Sequence, residues 1–273
     1  MITNQDDVKR FLQGAAWYHT IDFPGGISSK GAYDHRKFVN FYKLPKSLVG
    51  QEVLDVGCAD GFFSFELEKR GAKRVLAVDT NKFDGASAIS PSPIHEVDYQ
   101  RKYSSIQSQN TKFLPLAQKL GLSKVHLMLM ATRLLNSGVE YQDCSIYELH
   151  KLNHKFDVVF CGDLIEHLKN PIEAVEELSR ATKTLCIITI ASLATGSKVN
   201  RWLSLINFNP LLRGKIVTYW GDRGGTFFHF STNAFVRLLK ASGFSRIEIA
   251  SKFNQKNFKS NIYVPHVVYH CWK

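Results

Sequence analysis

No apolar stretch in these 273 residues approaches the ~20 that a membrane-spanning helix needs, so no bilayer crossing is expected. The opening Met1-Ile-Thr-Asn-Gln-Asp-Asp7 is polar and acidic, unlike a secretory signal. Five cysteines, at 58, 144, 161, 186 and 271, show none of the paired spacing of a zinc site, and their odd number argues against a disulfide framework. Cys58, Cys144, Cys161 and Cys186 lie in or beside apolar strand-like runs, where cysteine is usually a small core residue. A reducing, cytoplasmic setting is expected. There is no Arg/Gly-rich tail, no lysine block, no internal repeat and no linker, which argues against a dedicated nucleic-acid arm.

What is present is enough for a core: 44% hydrophobic and 12% aromatic residues, in one large α/β domain or one domain with an insertion. The formal charge of +11 and pI near 9.4 suit an anionic partner such as RNA, a phosphorylated metabolite or a lipid headgroup. A solvated basic surface would read the same way. Oligomeric state is not legible.

The densest signal is Val53-Leu-Asp-Val-Gly-Cys-Ala-Asp-Gly61, followed by Phe62-Phe-Ser-Phe65 and by Arg74-Val-Leu-Ala-Val-Asp79. A buried strand over 52–56 breaks at Gly57 and enters an amphipathic helix over 62–70. A second apolar run ends on Asp79, 24 residues after Asp55, the distance one strand–helix–strand unit needs. A carboxylate there accepts hydrogen bonds from both hydroxyls of a ribose, and the glycines admit close backbone approach. The loop is not the G-x-G-x-x-G of dinucleotide binders. Asp55 and Asp60 stand where a pyrophosphate would be repelled, and they suit a cationic, phosphate-free ligand such as S-adenosylmethionine. The pattern resembles the nucleotide-binding signature of class I S-adenosylmethionine-dependent methyltransferases.

Elsewhere the periodicity predicts helices over 3–12, 38–42, 111–120, 127–135, 172–182, 198–212 and 232–242, and strands over 156–160, 185–190, 246–250 and 263–269. Residues 81–108 read as a long polar loop or lid. Strands alternating with helices imply a mostly parallel sheet covered on both faces. The resemblance implies a Rossmann-like, doubly wound, seven-stranded sheet whose last strand enters antiparallel. It also implies an N-terminal aromatic lid over 1–50, a cofactor-binding domain over 51–273, and an insertion at about 195–230.

Ligands of such sheets sit beyond the strands' C-terminal ends. The expected cofactor contacts are Asp55, Gly57, Cys58, Asp60, Gly61, Phe62, Asp79 and Thr80, then Asp143 and Cys144, then Cys161 and Gly162, with Trp17 from the lid. The resemblance implies an adenine contact at Asp143; an ordinary helix cap at Asp143 or Ser145 is the alternative. Cys161-Gly-Asp-Leu-Ile-Glu-His-Leu-Lys-Asn-Pro171 resembles the Glu-His and Asn-Pro segment of this class. Glu166 and His167 either act on the acceptor or only brace the loop; His167 or His19 is the expected base. Asp163, Glu166, His167 and, further on, His229 resemble the cluster of metal-assisted O-methyltransferases, although Asp163 is shorter than that family's glutamate; a divalent ion is not favoured. Tyr18, Tyr33, Arg36, Trp220 and His229 are the expected acceptor contacts, with Gly224-Gly225 a hinge.

Trp17-Tyr-His-Thr-Ile-Asp-Phe-Pro-Gly-Gly26 and Tyr33-Asp-His-Arg36 resemble relatives of bacterial tRNA wobble-uridine carboxymethyl/methoxy transferases. Glu166 stands where that family reads a carboxylated cofactor with tyrosine, so plain S-adenosylmethionine is expected. Three functions follow: methylation of a hydroxyl on a small molecule or glycan, tRNA modification, or cofactor binding without catalysis. The intact Gly57, Asp60-Gly61 and Asp79 weigh against the last.

Overall fold

The computed structural model describes residues 5–80, 110–191, 216–219, 226–257 and 262–273. Its strands, in chain order, are β1 (Asp22–Phe23), β2 (Ile27–Ser28), β3 (Glu52–Val56), β4 (Arg74–Asp79), β5 (Glu140–Asp143), β6 (Phe156–Gly162), β7 (Thr182–Ala191), β8 (Val217–Tyr219), β9 (Phe228–Phe230), β10 (Arg246–Asn257) and β11 (Ile262–Trp272). The α-helices are α1 (Gln5–Gly14), α2 (Phe62–Glu68), α3 (Leu114–Lys119), α4 (Leu127–Leu135), α5 (Pro171–Ala181) and α6 (Thr232–Ala241).

Seven strands form one sheet in the order β10-β11-β7-β6-β3-β4-β5. β3, β4, β5, β6 and β7 run parallel. β11 enters antiparallel between β7 and β10, with Cys271 opposite Cys186 and Val267 opposite Ile190. This is the seven-stranded, doubly wound arrangement that the family resemblance implied. β10 and β11 outrun the expected 246–250 and 263–269 because cross-strand pairing carries the polar Lys252–Lys256 stretch onward. Local pattern alone could not show that.

Strand residues alternate between two apolar layers, as parallel strands buried on both faces must. Val53, Ala77, Phe160 and Ile187 pack against α1, α2, α3 and α4 and against Trp17 and Tyr42 of the N-terminal segment. Leu54, Val78, Val159 and Ile188 pack against α5 and α6. Helix starts follow local chemistry. Asn170 accepts from the Glu173 amide at 3.3 Å ahead of Pro171, and Ser231 accepts from the Ala234 amide at 3.3 Å.

Two small pairings went unread in the sequence: the β1–β2 hairpin around Gly25-Gly26 and the β8–β9 pair. The expected 81–108 loop and 198–212 helix, with Trp220 and Gly224-Gly225, lie outside the described residues. Among the described residues no helix is long and apolar enough to cross a membrane.

Candidate active site

The loops leaving β3, β4, β5 and β6 meet at one edge of the sheet, where two cavities share Gly57. One is a groove walled by Asp79, Thr80, Cys144, Ser145 and Ile146. The other is a pocket walled by Tyr18, His19, His35, Asp55, Cys58 and Asp163, floored by Phe63 and Phe160.

Gly57 has φ +76°, and a Cβ there would stand 2.9 Å from Leu164 Cδ2, so a side chain would both strain the turn and fill the junction. The amides of Gly57 and Cys58 donate to the Val78 carbonyl at 2.9 and 3.2 Å. This ties the loop to the end of β4. Asp79 completes the tie: Oδ2 accepts from the Ala59 amide at 2.8 Å and Oδ1 from the Thr80 amide at 2.7 Å. Burial raises the Asp79 pKa, against the pull of those two amides. Two oxygens with one donor each keep lone pairs for two further donors, which matches a ribose diol.

Gly61 is a glycine for a different reason from the one expected. At φ +94°, its Cβ would fall 2.2 Å from Met128 Sδ and 2.9 Å from Phe65 Cε2, so α4 and α2 need the space rather than a ligand. Asp60 is also reassigned. It is 2% exposed. Its Oδ2 accepts from the Tyr18 and His19 amides at 2.7 and 2.9 Å, and its Oδ1 binds His19 Nδ1. The carboxylate clamps the N-terminal segment instead of meeting a ligand cation. Asp55 does line the pocket, hydrogen-bonded by the Ser64 hydroxyl, and burial pushes it up to about 7 against Ser64 and His19.

Other expectations divide in the same way. Trp17 is fully buried, with Phe11 at 5.2 Å and Phe23 at 5.7 Å, so its ring is core and not a cofactor contact. Phe62 packs behind His19 at 5.7 Å and His35 at 5.6 Å, and Phe63 forms the pocket wall in its place. Cys161 is buried within β6, while Gly162 reaches the pocket. Cys144 and Thr80 wall the groove; Asp143 stands just before it on β5, and Ser145 is the cap of the following turn. Tyr18 lines the pocket with Tyr33 against it at 5.1 Å. Arg36 is engaged by Asp34 and Asp22, a strut of the N-terminal segment.

The acid–histidine cluster is brought together only loosely, and its members take separate partners. Glu166 is 1% exposed, its Oε1 takes the Ala191 amide at 2.7 Å, and burial lifts its pKa to about 7. Its carbonyl takes the Phe227 amide at 2.8 Å, so the residue braces the loop against β7 and the approach to β9, which corrects its expected catalytic place. His167 is half-buried on the short turn Ile165–His167. Burial, then His167, hold His229 below the ordinary imidazole value. Among the described residues no group of three or more His, Cys, Asp or Glu could hold a metal ion.

His266 escaped the sequence-derived site set, whereas His35 belongs to the N-terminal segment read as lid and acceptor contact. His266, 5% exposed on β11, pairs with Asp163 at 3.2 Å and stacks on Phe253 at 5.0 Å. Burial opposes its charge, but Asp163, with Glu166 and the Val264 carbonyl, holds its pKa above the ordinary value. Nothing in the β11 pattern marks it, since its partner is 103 residues away (266 − 163). Asp163 itself sits at φ +49°, a conformation unusual for a residue with a side chain, and leaves Oδ1 unpartnered. His35 is 3% exposed with its pKa pushed well down by burial, and its Nδ1 has no partner among the described residues.

Residues 30–249 match the family model described as a methyltransferase domain. The ubiquinone biosynthesis O-methyltransferase of Dechloromonas aromatica is 27% identical over 165 residues, 60% of this chain and 48% of that protein. The tRNA U34 carboxymethyltransferase of Campylobacter hominis is 22% identical over 139 residues, 51% of this chain and 35% of that protein. These matches span less than half the length of either relative. The crystal structure of the N-terminal domain of EvdMO1 with SAH bound superposes with a TM-score of 0.56 at 12% identity, covering 99% of this chain and 98% of that one. That likeness is one of fold.

Proposed function

The chain belongs to the methyltransferase-domain family, and from that premise we propose that it methylates a hydroxyl group of a small molecule or sugar, with S-adenosylmethionine as cofactor. The observation that carries this reading is the junction at Gly57 of a groove holding Asp79 and a pocket holding His19. Asp79 would take the ribose hydroxyls, and the backbone from Cys144 to Ile146 would line the adenine. The Gly57–Cys58 turn, with the Asp55 and Asp163 carboxyls, would face the cationic end. S-adenosylmethionine, when bound, supplies an electrophilic methyl on a sulfonium. The residues contribute positioning, with acceptor oxygen and methyl carbon held ~3 Å apart in line. A base in the pocket takes the hydroxyl proton. His19 suits that role better than His167, because His19 lines the pocket wall.

A second reading, tRNA modification, draws on the Campylobacter relative and on the net charge of +11. Methyl-labelled S-adenosylmethionine, offered with phenols and catechols, with hexoses, and with unfractionated tRNA, separates the two. Label in a small hydroxylated acceptor is the expected result. Label in tRNA, with a steep loss of binding as salt rises, would put the RNA reading first. No transfer to any of them, by a protein that binds S-adenosylhomocysteine, would overturn both.

A further inference from the structure

Asp60 belongs to the glycine loop by sequence and to the acceptor pocket by contact. Two of its three hydrogen bonds, from the Tyr18 and His19 amides, are enough to dock the N-terminal segment on that loop. The third goes to an imidazole nitrogen, His19 Nδ1. A carboxylate at Nδ1 stabilises the tautomer that carries its proton there, which leaves the lone pair on Nε2. Nε2 has no hydrogen-bond partner among the described residues, and the ring walls the pocket while the residue is only 5% exposed.

The ring is held from its other sides as well. His35 and Tyr18 meet it edge-on at 4.9 and 4.8 Å, and Phe62 and Phe63 lie at 5.7 and 6.0 Å. Its acidic neighbours are Asp60, in contact, and Asp55, whose ionisation burial opposes and His19 favours; His35 across the ring is held neutral by burial. An imidazolium formed here would face two carboxyls and one uncharged imidazole.

We propose that Asp60 and His19 form the proton-accepting pair of the methyl transfer, His19 as the catalytic base and Asp60 as its positioning residue. This rests on the O-methylation reading above. The acceptor oxygen forms a bond to the methyl carbon as the carbon–sulfur bond breaks, and that electron pair stays on sulfur as a neutral thioether. The hydroxyl proton passes to His19 Nε2. Asp60 holds the proton on His19 Nδ1 and offsets the new positive charge, and the extra proton on Nε2 is then released to solvent. Because Asp60 lies in the Gly57–Gly61 loop, one carboxylate fixes the base relative to the cofactor site.

Long-range ¹H–¹⁵N spectra of the full chain, with His19 identified by its loss in His19→Gln, read the tautomer without any acceptor. The expected wild-type signal is a protonated Nδ1 with a bare Nε2, lost or mixed in Asp60→Asn. A protonated Nε2 in the neutral wild-type ring would overturn the pair. In turnover, His19→Ala and Asp60→Asn that remain folded by circular dichroism should bind S-adenosylhomocysteine within about 3-fold of wild type and lose at least about 100-fold in kcat, with KM little moved. The acceptor is whichever compound takes label in the panel above. Imidazole added to the buffer should restore part of the His19→Ala rate and none of the Asp60→Asn rate. A merely structural clamp would show no such rescue. Near wild-type turnover in folded His19→Ala refutes the proposal. If no compound takes label, the O-methylation reading fails and the catalytic pair with it, while the tautomer measurement still decides whether Asp60 fixes the His19 ring.

Discussion

Replacing Asp79 with alanine removes the one carboxylate that faces the groove from the end of β4. Each of its oxygens already holds one loop amide, at 2.8 Å from Ala59 and 2.7 Å from Thr80, so the ribose diol meets an acceptor whose direction is fixed before binding. Hydrogen bonds to a charged group are worth about 1.5–3 kcal/mol, though burial has raised the Asp79 pKa and so spends part of that advantage. A net loss of about 1.5–3 kcal/mol corresponds to a Kd for S-adenosylhomocysteine about 10- to 150-fold weaker, measurable by titration calorimetry. The variant also orphans two amides near the surface, so its melting point should fall. Repeating the titration with a deoxyribose analogue separates the two effects: the analogue should lose affinity against wild type and lose little more against Asp79→Ala. An unchanged Kd in a folded Asp79→Ala protein, or full additivity of the two changes, would refute the assignment.

Four further outcomes follow from the same geometry. Asp163 and Asp55 line the pocket, so a carboxylated S-adenosylmethionine should bind more weakly than the plain cofactor in a competition titration; tighter binding would favour the wobble-uridine reading. Burial lifts Glu166 from 4.5 to about 7, so the folded state binds more protons than the unfolded chain between those values. The stability contributed by its protonation is complete below about 4.5 and lost as pH rises through about 7, a slope that Glu166→Gln should flatten by up to about 3 kcal/mol in denaturant melts. Gly61→Ala, at φ +94° with Met128 Sδ and Phe65 Cε2 both crowding the new Cβ, should destabilise by more than about 1 kcal/mol in the same assay; an unchanged midpoint would show that the turn accepts a side chain. With Asp163 held by His266 and Glu166 by the Ala191 amide, methyl transfer should persist in EDTA; loss that Mg²⁺ or Mn²⁺ reverses would show that the cluster binds a metal.

The sequence carried the parts of this protein that depend on near neighbours. An apolar run ending at Gly57, a second ending on Asp79 and helices at regular spacing leave few topologies, because a parallel crossover needs a helix and a fixed hand. The helices over 172–182 and 232–242 were legible from their periodicity, and the caps that open them, Asn170 and Ser231, act within a single turn. The groove was legible for the same reason: Gly57, Asp79, Thr80 and Cys144 sit at strand ends whose order the repeating unit dictates.

What only the tertiary structure decided is which carboxylate meets which partner. Asp55, Asp60, Asp163 and Glu166 all read as acids at the mouth of a site, yet Asp60 turns to a segment 41 residues earlier and Asp163 to a strand 103 residues later (266 − 163), while Glu166 turns inward to the β7 amide of Ala191. Trp17 and Gly61 were drawn to the ligand by their place in the chain and are held by Phe11 and Met128 instead. A buried carboxylate must find donors wherever packing brings them. Those donors come from elements far apart in sequence, so a local pattern can mark such an acid but cannot say what it binds.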